Sequence, residues 1–259
     1  MNIRKSYSEI STYKQCRKKY YFSYVENLRS TTKSEPLVMG SSYHKKLEQI
    51  IKDGDFEKTN DKTDVMASVW EKHIYPQLDI VESEKYFDTE ITKDLNIVGY
   101  VDGVCRNGWQ IEHKTTSTKI DEAYIHKLAW DDQIPIYMLA NNSRDMWYTV
   151  IQKPSIRQKQ NESYESYLTR CEEWYEDGTE TKIALFAVHR TDADIAEKKK
   201  EVIDIACEIE NCKLYYRNPS ACSIYGCEFS SICLNYDPKF TIGFESKRGR
   251  EEDGYTESE

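Results

Sequence analysis

Apolar residues recur at helical spacing over the first 80 residues of the 259-residue chain. Ile10 and Tyr13 would form the apolar face of a short helix that Ser8 or Ser11 can cap. The same spacing predicts another helix over about residues 63–75 and, after Gly40-Ser41-Ser42, an amphipathic helix that carries His44, Leu47, Glu48 and Ile51. We therefore expect a helical N-terminal region over about residues 1–80.

From Tyr86 the apolar residues alternate with polar ones, which is the pattern of β-strands. Three antiparallel strands are expected over residues 86–92, 97–105 and 109–114. Later residues predict a helix with Gln133, Tyr137 and Ala140 on it, strands at 146–153 and 183–189 with a helix around 162–175 between them, and a long helix at 192–214. The pattern as a whole predicts an α/β fold with a mixed central sheet flanked by helices.

The third of these strands ends in Glu112-His113-Lys114. Side chains alternate between the two faces of a strand, so Glu112 and Lys114 share one face and His113 points to the other. A carboxylate and an ammonium group are thus expected side by side. An isolated Glu-x-Lys pair on a strand is commonly an exposed ion pair, so its chemistry depends on what else lies on that face.

The connection between the second and third strands decides whether Asp102 joins that face. A two-residue turn at Asn107-Gly108 would turn Asp102 away from Glu112. We predict instead a three-residue loop over residues 106–108, with Gly108 in the left-handed conformation, which places Asp102 opposite Glu112. Two carboxylates at such close range favour a hard divalent cation between them, Mg²⁺ or Mn²⁺.

Composition narrows the class of protein. The longest apolar run, Ile183–Val188, is far too short for a membrane span, and the charged first residues lack the apolar region of a secretory signal, so we expect a cytoplasmic protein without a membrane partner. The net charge of −9 argues against broad charge-driven coating of nucleic acid. It does not exclude nucleic acid as a substrate, because bound metal ions would neutralise phosphate.

Glycine and proline are scarce, and no flexible linker interrupts the first 240 residues. We therefore expect one domain over residues 1–240, with a core at about 85–190 and a C-terminal part at about 192–237. Residues 241–259 are expected to form an acidic, flexible tail, since six acids and three bases lie between Glu245 and Glu259.

Eight cysteines are present, and Cys222, Cys227 and Cys233 lie close together in a turn-rich segment. In a reducing compartment such a cluster is more typical of a metal centre than of disulfides. Zinc and iron–sulfur clusters both use thiolate ligands. Structural zinc sites favour pairs of cysteines about two residues apart, so the wider spacing here favours iron–sulfur.

The chain resembles the RecB-like branch of the PD-(D/E)XK nuclease superfamily, which includes CRISPR-associated adaptation exonucleases and many bacteriophage nucleases. The resemblance covers about Ser8 to Asp237 and rests on four motifs in family order, Gly40-Ser-Ser-Tyr-His44, Gly99-Tyr-Val-Asp102, Glu112-His-Lys114-Thr-Thr and Gln133-Ile-Pro-Ile-Tyr137. It implies a restriction-endonuclease-like core with a C-terminal cysteine clasp.

The resemblance also implies roles for these residues. Asp102 and Glu112 would bind Mg²⁺ or Mn²⁺, together with the backbone carbonyl of His113 and the side chain of His44. The remaining candidates act on the phosphate or on each other: Lys114 would orient the attacking water or offset charge on the phosphate, with Gln133 and Tyr137 supporting it. The plainer interpretation of Tyr137 is core packing.

For the cysteines, the resemblance implies that Cys16 joins Cys222, Cys227 and Cys233 around a [4Fe-4S] cluster that holds the two ends of the domain together. Cys212 is an alternative to Cys222, because the first C-terminal interval is wider than is usual in the family. Zinc is the alternative occupant of the site.

These inferences predict a metal-dependent deoxyribonuclease. The favoured function is a single-strand-preferring exonuclease in DNA recombination, DNA repair or phage DNA processing, with DNA as partner and a helicase or recombination protein beside it. The alternatives are a structure-specific endonuclease and a non-catalytic protein that binds DNA ends. The absence of a Walker-type motif in the sequence argues against an ATP-driven helicase.

Overall fold

The computed structural model describes residues 3–32, 34–234 and 242–246. Contacts within the chain divide it into two compact units. The first unit takes its described residues from Met1–Glu35, Asp88–Val98 and Lys199–Glu259. The second unit consists of Pro36–Phe87 and Gly99–Lys198.

The described residues form eight strands and ten α-helices. The strands are β1 (Ile3–Ser6), β2 (Leu28–Ser30), β3 (Ile80–Thr92), β4 (Leu95–Cys105), β5 (Gln110–Thr116), β6 (Asp145–Gln152), β7 (Ile183–His189) and β8 (Phe244–Ser246). The helices are α1 (Tyr7–Gln15), α2 (Arg17–Tyr20), α3 (Glu35–Asp53), α4 (Lys62–His73), α5 (Glu122–Ala129), α6 (Gln133–Ala140), α7 (Tyr164–Glu176), α8 (Asp192–Glu210), α9 (Pro219–Tyr225) and α10 (Ser230–Leu234).

The sheet of the second unit is mixed, as the sequence predicted. β4 pairs with β5 antiparallel, β5 with β6 parallel, and β6 with β7 antiparallel. β3 pairs with β4 as an additional strand of this sheet. Helices α3, α4 and α7 pack their apolar side chains against the sheet in one cluster around the fully buried Trp70, Leu47 and Ile111. Burial of such side chains is the main stabilising contribution to a fold of this kind.

The first unit has a smaller core of its own. β1 runs parallel to the beginning of β4, from the pair Ile3↔Leu95 to the pair Ser6↔Val98, and β2 pairs with β8. Aromatic rings of Tyr13 and Tyr20 pack with Ile209 in one cluster. The tyrosines of this region therefore pack mainly on each other.

Several element boundaries differ from the sequence predictions. Ser6 caps α1 by accepting a hydrogen bond from the Glu9 backbone N–H at 3.2 Å, so the prediction of Ser8 or Ser11 is wrong. Helix α3 begins at Glu35 rather than after Ser42, because Pro36 is well tolerated in a first helical turn. Gly40 therefore lies inside the helix, where glycine is only modestly unfavourable.

The beginning of β3 and the whole of helix α5 were missed, because polar residues interrupt the apolar pattern there. β3 begins at Ile80, six residues before the predicted start, and α5 was not predicted. The long helix α8 ends at Glu210 rather than near Leu214. The prediction for β7, Ile183–His189, is confirmed.

The predicted tail is only partly described. Residues 244–246 form β8, whereas residues 235–241 and 247–259 lie outside the described residues. The division into one domain and a tail stays a prediction. In the described ranges, none of the helices is both long enough and apolar enough for a membrane crossing.

Candidate active site

The site is built on the β4–β5 hairpin. The Gly108 N–H donates to the Cys105 carbonyl at 2.8 Å, and the Cys105 N–H donates to the Trp109 carbonyl at 2.8 Å, so residues 106–108 form the loop. Gly108 has a φ of 86°, a conformation that favours glycine. With Gly103 opposite Ile111, the next pair is Asp102 and Glu112. The predicted three-residue loop and its register are confirmed.

Beyond the pair Gly103–Ile111, a side chain takes part in the hydrogen bonding between β4 and β5. The backbone N–H of His113 donates to Oδ2 of Asp102 at 2.6 Å. A carboxylate thus takes the place of a strand carbonyl and is fixed between β4 and β5. Its other oxygen, Oδ1, lies 3.3 Å from Nδ1 of His44 on α3.

A third side chain completes this group. The described residues contain one group of three acid, histidine or cysteine side chains whose ligand atoms all lie within 4.8 Å of one another, namely His44, Glu84 and Asp102. Glu84 lies in β3 and has a φ of 49°, which is uncommon for a residue other than glycine and costs roughly 1–3 kcal/mol. The surrounding structure therefore holds the Glu84 side chain beside Asp102 at the expense of backbone strain.

Glu112 faces a different neighbour. Its carboxylate, only 3% exposed, accepts a hydrogen bond from the Lys114 ammonium group. Lys114 also donates to Oε1 of Gln133 at 2.6 Å. Gln133 begins α6, whose first turn is capped by Asp131, which accepts from the Gln133 N–H at 2.8 Å. A cap, an amide and a carboxylate therefore fix the position of the ammonium group.

Tyr137 lies one turn further along α6 and is buried, with its ring 5.2 Å from the ring of Phe87 in an edge-to-face arrangement. Gly99 makes this packing possible, since a Cβ at that position would come within 2.8 Å of the Phe87 ring. The glycine three residues before Asp102 thus has a packing role.

Burial and crowding of negative charge perturb two of the carboxyl groups. Burial, with a further contribution from Asp102, raises the pKa of Glu84 to about 7. Burial also raises the pKa of Glu112 to about 7; the positive charge of Lys114 opposes this increase, and the negative charge of Asp102 adds to it. Both carboxyl groups therefore titrate near neutral pH when no metal ion is bound.

The other charged groups stabilise each other. Burial opposes the charge on Asp102, but His44, with His113 and Lys114, holds the pKa of Asp102 well below its usual range. Burial would lower the pKa of His44, yet Asp102 raises it. Lys114 is likewise opposed by burial, but Glu112 raises its pKa. Lys114 is therefore a permanent cation at neutral pH.

The donor set fits a hard divalent cation. The two carboxylates of Glu84 and Asp102 and the imidazole of His44 converge at metal-ligand distances, whereas Glu112, on the strand beside Asp102, lies outside this group. Oxygen ligands with one nitrogen suit Mg²⁺ or Mn²⁺. Two of the acids, Glu84 and Glu112, keep their protons to unusually high pH. Crowded carboxylates with this property gain free energy when a cation neutralises them.

His113 lies partly outside this arrangement. Its ring is buried on the opposite side from Glu112, where Nδ1 is 2.6 Å from Oγ1 of Thr149 and the ring meets Trp70 edge-on at 5.2 Å. Burial lowers the pKa of this imidazole to about 4, so it is neutral. Metal binding by its backbone carbonyl stays a prediction, as do the predicted roles of the other site residues.

Glu84 is the residue that sequence reasoning missed. The strand was predicted to begin at Tyr86, after this residue, because Glu82-Ser83-Glu84-Lys85 breaks the apolar alternation. The left-handed backbone conformation of Glu84 could not be predicted either, because the sequence indicates such a conformation by a glycine and not by a glutamate. The apolar pair Ile80-Val81 just upstream could have extended the strand far enough to include it.

The four cysteines proposed for the cluster, Cys16, Cys222, Cys227 and Cys233, lie in the first unit. Cys16 is buried between α1 and α2, Cys222 is exposed, and Cys227 and Cys233 are partly buried beside Phe22. Burial raises the pKa of Cys227, and Cys222 and Cys16 are close enough to raise it further. Within the described part of the chain these thiols do not form a group at metal-ligand distances. Cys212 instead packs beside the tyrosine cluster.

Comparison with known proteins gives a family. A model of the PD-(D/E)XK nuclease superfamily matches residues 4–234. No curated protein sequence matches the chain.

A solved structure with a TM-score above 0.5 shares the fold. A putative exonuclease from Eubacterium rectale is similar with a TM-score of 0.54 at 11% identity, over 84% of this chain and 85% of that chain. A phage-related exonuclease from Haemophilus somnus is similar with a TM-score of 0.38 at 15% identity, over 80% and 92%. An alkaline exonuclease from Laribacter hongkongensis is similar with a TM-score of 0.37 at 12% identity, over 81% and 88%. At 11% identity, the similarity to the Eubacterium rectale protein shows a shared fold and nothing more.

Proposed function

Since this chain belongs to the PD-(D/E)XK nuclease superfamily, we propose that it is a metal-dependent deoxyribonuclease that hydrolyses phosphodiester bonds in single-stranded DNA from a free end. One observation carries the proposal: Asp102 lies opposite Glu112, which is paired with the cationic Lys114, and His44 and Glu84 lie against the Asp102 carboxylate. Acids and a lysine in this arrangement suit cleavage of a phosphodiester.

Asp102, Glu84, Glu112 and His44 would hold Mg²⁺ or Mn²⁺. When bound, such an ion polarises a phosphate oxygen and lowers the pKa of a bound water. The His113 N–H keeps the Asp102 carboxylate in place between the strands, so its position does not depend on the ion. Burial would lower the pKa of His44, but Asp102 raises it, which favours the protonated imidazole beside that carboxylate when no metal ion is bound.

Lys114 serves as a cation rather than as a base. Its pKa lies above the ordinary value because of Glu112, so it keeps its proton throughout the neutral range. A protonated ammonium can donate hydrogen bonds to the attacking water or to the phosphate oxygen on which negative charge develops. Gln133 accepts one of its hydrogen bonds and thereby aims the remaining N–H groups.

Digestion from an end is favoured over internal cutting by one comparison: the solved structure with the TM-score of 0.54 is that of a putative exonuclease. A structure-specific endonuclease is the alternative. A non-catalytic DNA-end-binding protein would not need a buried acid pair with a lysine beside it. Roles in recombination, repair or phage DNA processing, with a helicase or recombination partner, belong to the same proposal.

A cleavage assay separates these functions. Labelled linear and circular single-stranded DNA would be incubated with Mg²⁺, with Mn²⁺ and with EDTA, using the wild-type protein and Lys114→Ala. Loss of linear but not circular DNA, dependent on metal and on Lys114, is the expected result. Cut circles would indicate an endonuclease, and no metal-dependent cleavage would reject the enzyme. Lys72→Ala, which removes an exposed lysine paired with Glu176, is the matched control.

We further propose that Cys16, Cys222, Cys227 and Cys233 hold a [4Fe-4S] cluster, with zinc as the alternative. One hydrogen bond supports the proximity of the segments that carry Cys16 and Cys222. The Asn218 amide donates to the carbonyl of Gln15 at 2.8 Å, and Asn218 directly precedes the helix that carries Cys222. Absorption near 400 nm and iron analysis of anaerobically purified protein would distinguish the two metals, since zinc is colourless.

A further inference from the structure

The five tryptophans of the chain differ sharply in environment. Trp70 is fully buried, and three others pack against the apolar cluster of the second unit, namely Trp109, Trp147 and Trp174. Trp130 is 77% exposed. An indole this exposed contributes little buried apolar area to the fold.

Trp130 is nonetheless held in a fixed position. It follows the last residue of α5, and its backbone N–H donates to the Lys127 carbonyl at 3.1 Å. Arg190 donates to the carbonyl of Ala129 at 3.1 Å from the other side. Asp131, the next residue, caps α6. The exposed ring therefore projects from a rigid connection between two helices.

This connection leads directly into the candidate active site. Trp130 is three residues before Gln133, which accepts a hydrogen bond from Lys114. Three residues span at most about 11 Å. The indole thus lies within a few nucleotides' length of the bond to be cut.

Basic side chains lie on the α5 side of the indole, while the acidic Asp131 and Asp132 follow it toward α6. His126 and Lys127 form the last turn of α5, and the His126 ring lies 6.4 Å from the Trp130 ring. Arg190 is bound to the same end of the helix. An exposed aromatic ring among cations is the combination with which proteins bind single-stranded nucleic acid, the ring contacting a base and the cations contacting phosphates.

We propose that Trp130 stacks on an unpaired base of the substrate strand, close to the cleaved bond, while Lys127 and Arg190 contact the neighbouring phosphates. This inference rests on the proposed nuclease function and adds a reason for a preference for single strands. Bases in a duplex are stacked on each other and do not offer a free face. Trp130 is a substrate-binding residue in this account and takes no part in the chemical step.

Single-turnover cleavage of an end-labelled single-stranded oligonucleotide in Mn²⁺ tests the proposal. Trp130→Ala should raise the half-saturating protein concentration about 5- to 150-fold, the effect of losing one stacked base, with the maximal rate little changed. Trp130→Phe should retain most of the affinity. The matched control is Tyr164→Ala, which removes another exposed aromatic ring, 45% accessible, from α7.

A series of oligonucleotides with one abasic site each identifies the stacked base. At one position the abasic site should weaken binding by wild type and leave Trp130→Ala unaffected. Equal affinity of wild type and Trp130→Ala for the intact strand would overturn the inference, as would equal sensitivity of the two proteins at every abasic position. If wild type cleaves DNA and these tests fail, only the stacking is wrong; if wild type cleaves no DNA, the proposed function fails with it.

Discussion

The acid site and the cysteine region differ in what holds their candidate metal ligands. In the acid site, Asp102 and Glu112 lie on paired strands, and the backbone N–H of His113 fixes the Asp102 carboxylate. In the cysteine region, Cys222 and Cys233 lie on helices of seven and five residues. Short helices have little stability of their own.

The comparison indicates that the acid site is assembled by the fold, whereas the proposed cysteine site would depend on a bound metal for its assembly. Strand pairing places the acids close together. The unfavourable burial and repulsion of their charges raise the pKa values of Glu84 and Glu112. For cysteines on short helices, binding of metal and local folding are one event. Four predictions test this difference.

The largest effect is expected for Asp102→Asn. It replaces the carboxylate shared by His44, Glu84 and His113, so cleavage of labelled single-stranded DNA should fall at least about 10²- to 10³-fold. Asp79→Asn is the matched control, because Asp79 is exposed and only pairs with Arg106 near the same hairpin. A loss of less than tenfold for Asp102→Asn would mean that the fold does not use this carboxylate.

The next effect concerns Glu84. Glu84→Gln removes one carboxylate from the group with His44 and Asp102, and Mn²⁺ affinity measured by calorimetry should fall about 10- to 100-fold. Glu82→Gln, two residues away, changes an exposed glutamate that pairs with Lys85 and should leave the affinity unchanged. Equal affinities for the two variants would remove Glu84 from the metal site.

The cysteine region should respond to Cys227→Ser. This change should abolish the bound iron and lower the thermal midpoint by about 4–8 °C, roughly the effect of 2 kcal/mol in a protein of this size. Cys207→Ser alters an exposed cysteine on α8 and should change neither value. Wild-type protein without iron or zinc would show that this region holds no metal.

The smallest effect is a pH dependence of the acid site. Between the ordinary glutamate pKa and about 7, folded protein binds more protons at Glu84 and Glu112 than unfolded protein does, so without metal its stability falls as pH rises. A divalent ion removes this repulsion. The rise in thermal midpoint caused by Mn²⁺ should therefore be larger at pH 8 than at pH 6, by about 2–4 °C for each kcal/mol. A larger rise at pH 6 would contradict the assigned protonation.

Sequence reasoning was most successful where local geometry decides the outcome. The left-handed Gly108 determines the hairpin loop, and the loop determines that Asp102 faces Glu112. The alternating residues of β7 predicted its bounds correctly. Such features depend on a few neighbouring residues and on the two-residue period of a strand.

The missed features depend on distant contacts. Glu84 reaches the site through a strained backbone that only the folded structure stabilises, and no residue pattern near it indicates this. Helix α5 buries only Leu128, so its apolar period is too weak to recognise. The start of α3 was assigned to a glycine-serine segment that tertiary packing keeps helical.

The most direct test of the central claim is the position of Mn²⁺ in a crystal of the protein, located by its anomalous scattering. The account predicts a peak within about 2.0–2.6 Å of the Asp102 carboxylate, with Glu112 or Glu84 and His44 as further ligands. A Mn²⁺ ion bound elsewhere, with Asp102 still paired only to His44 and the His113 N–H, would contradict it.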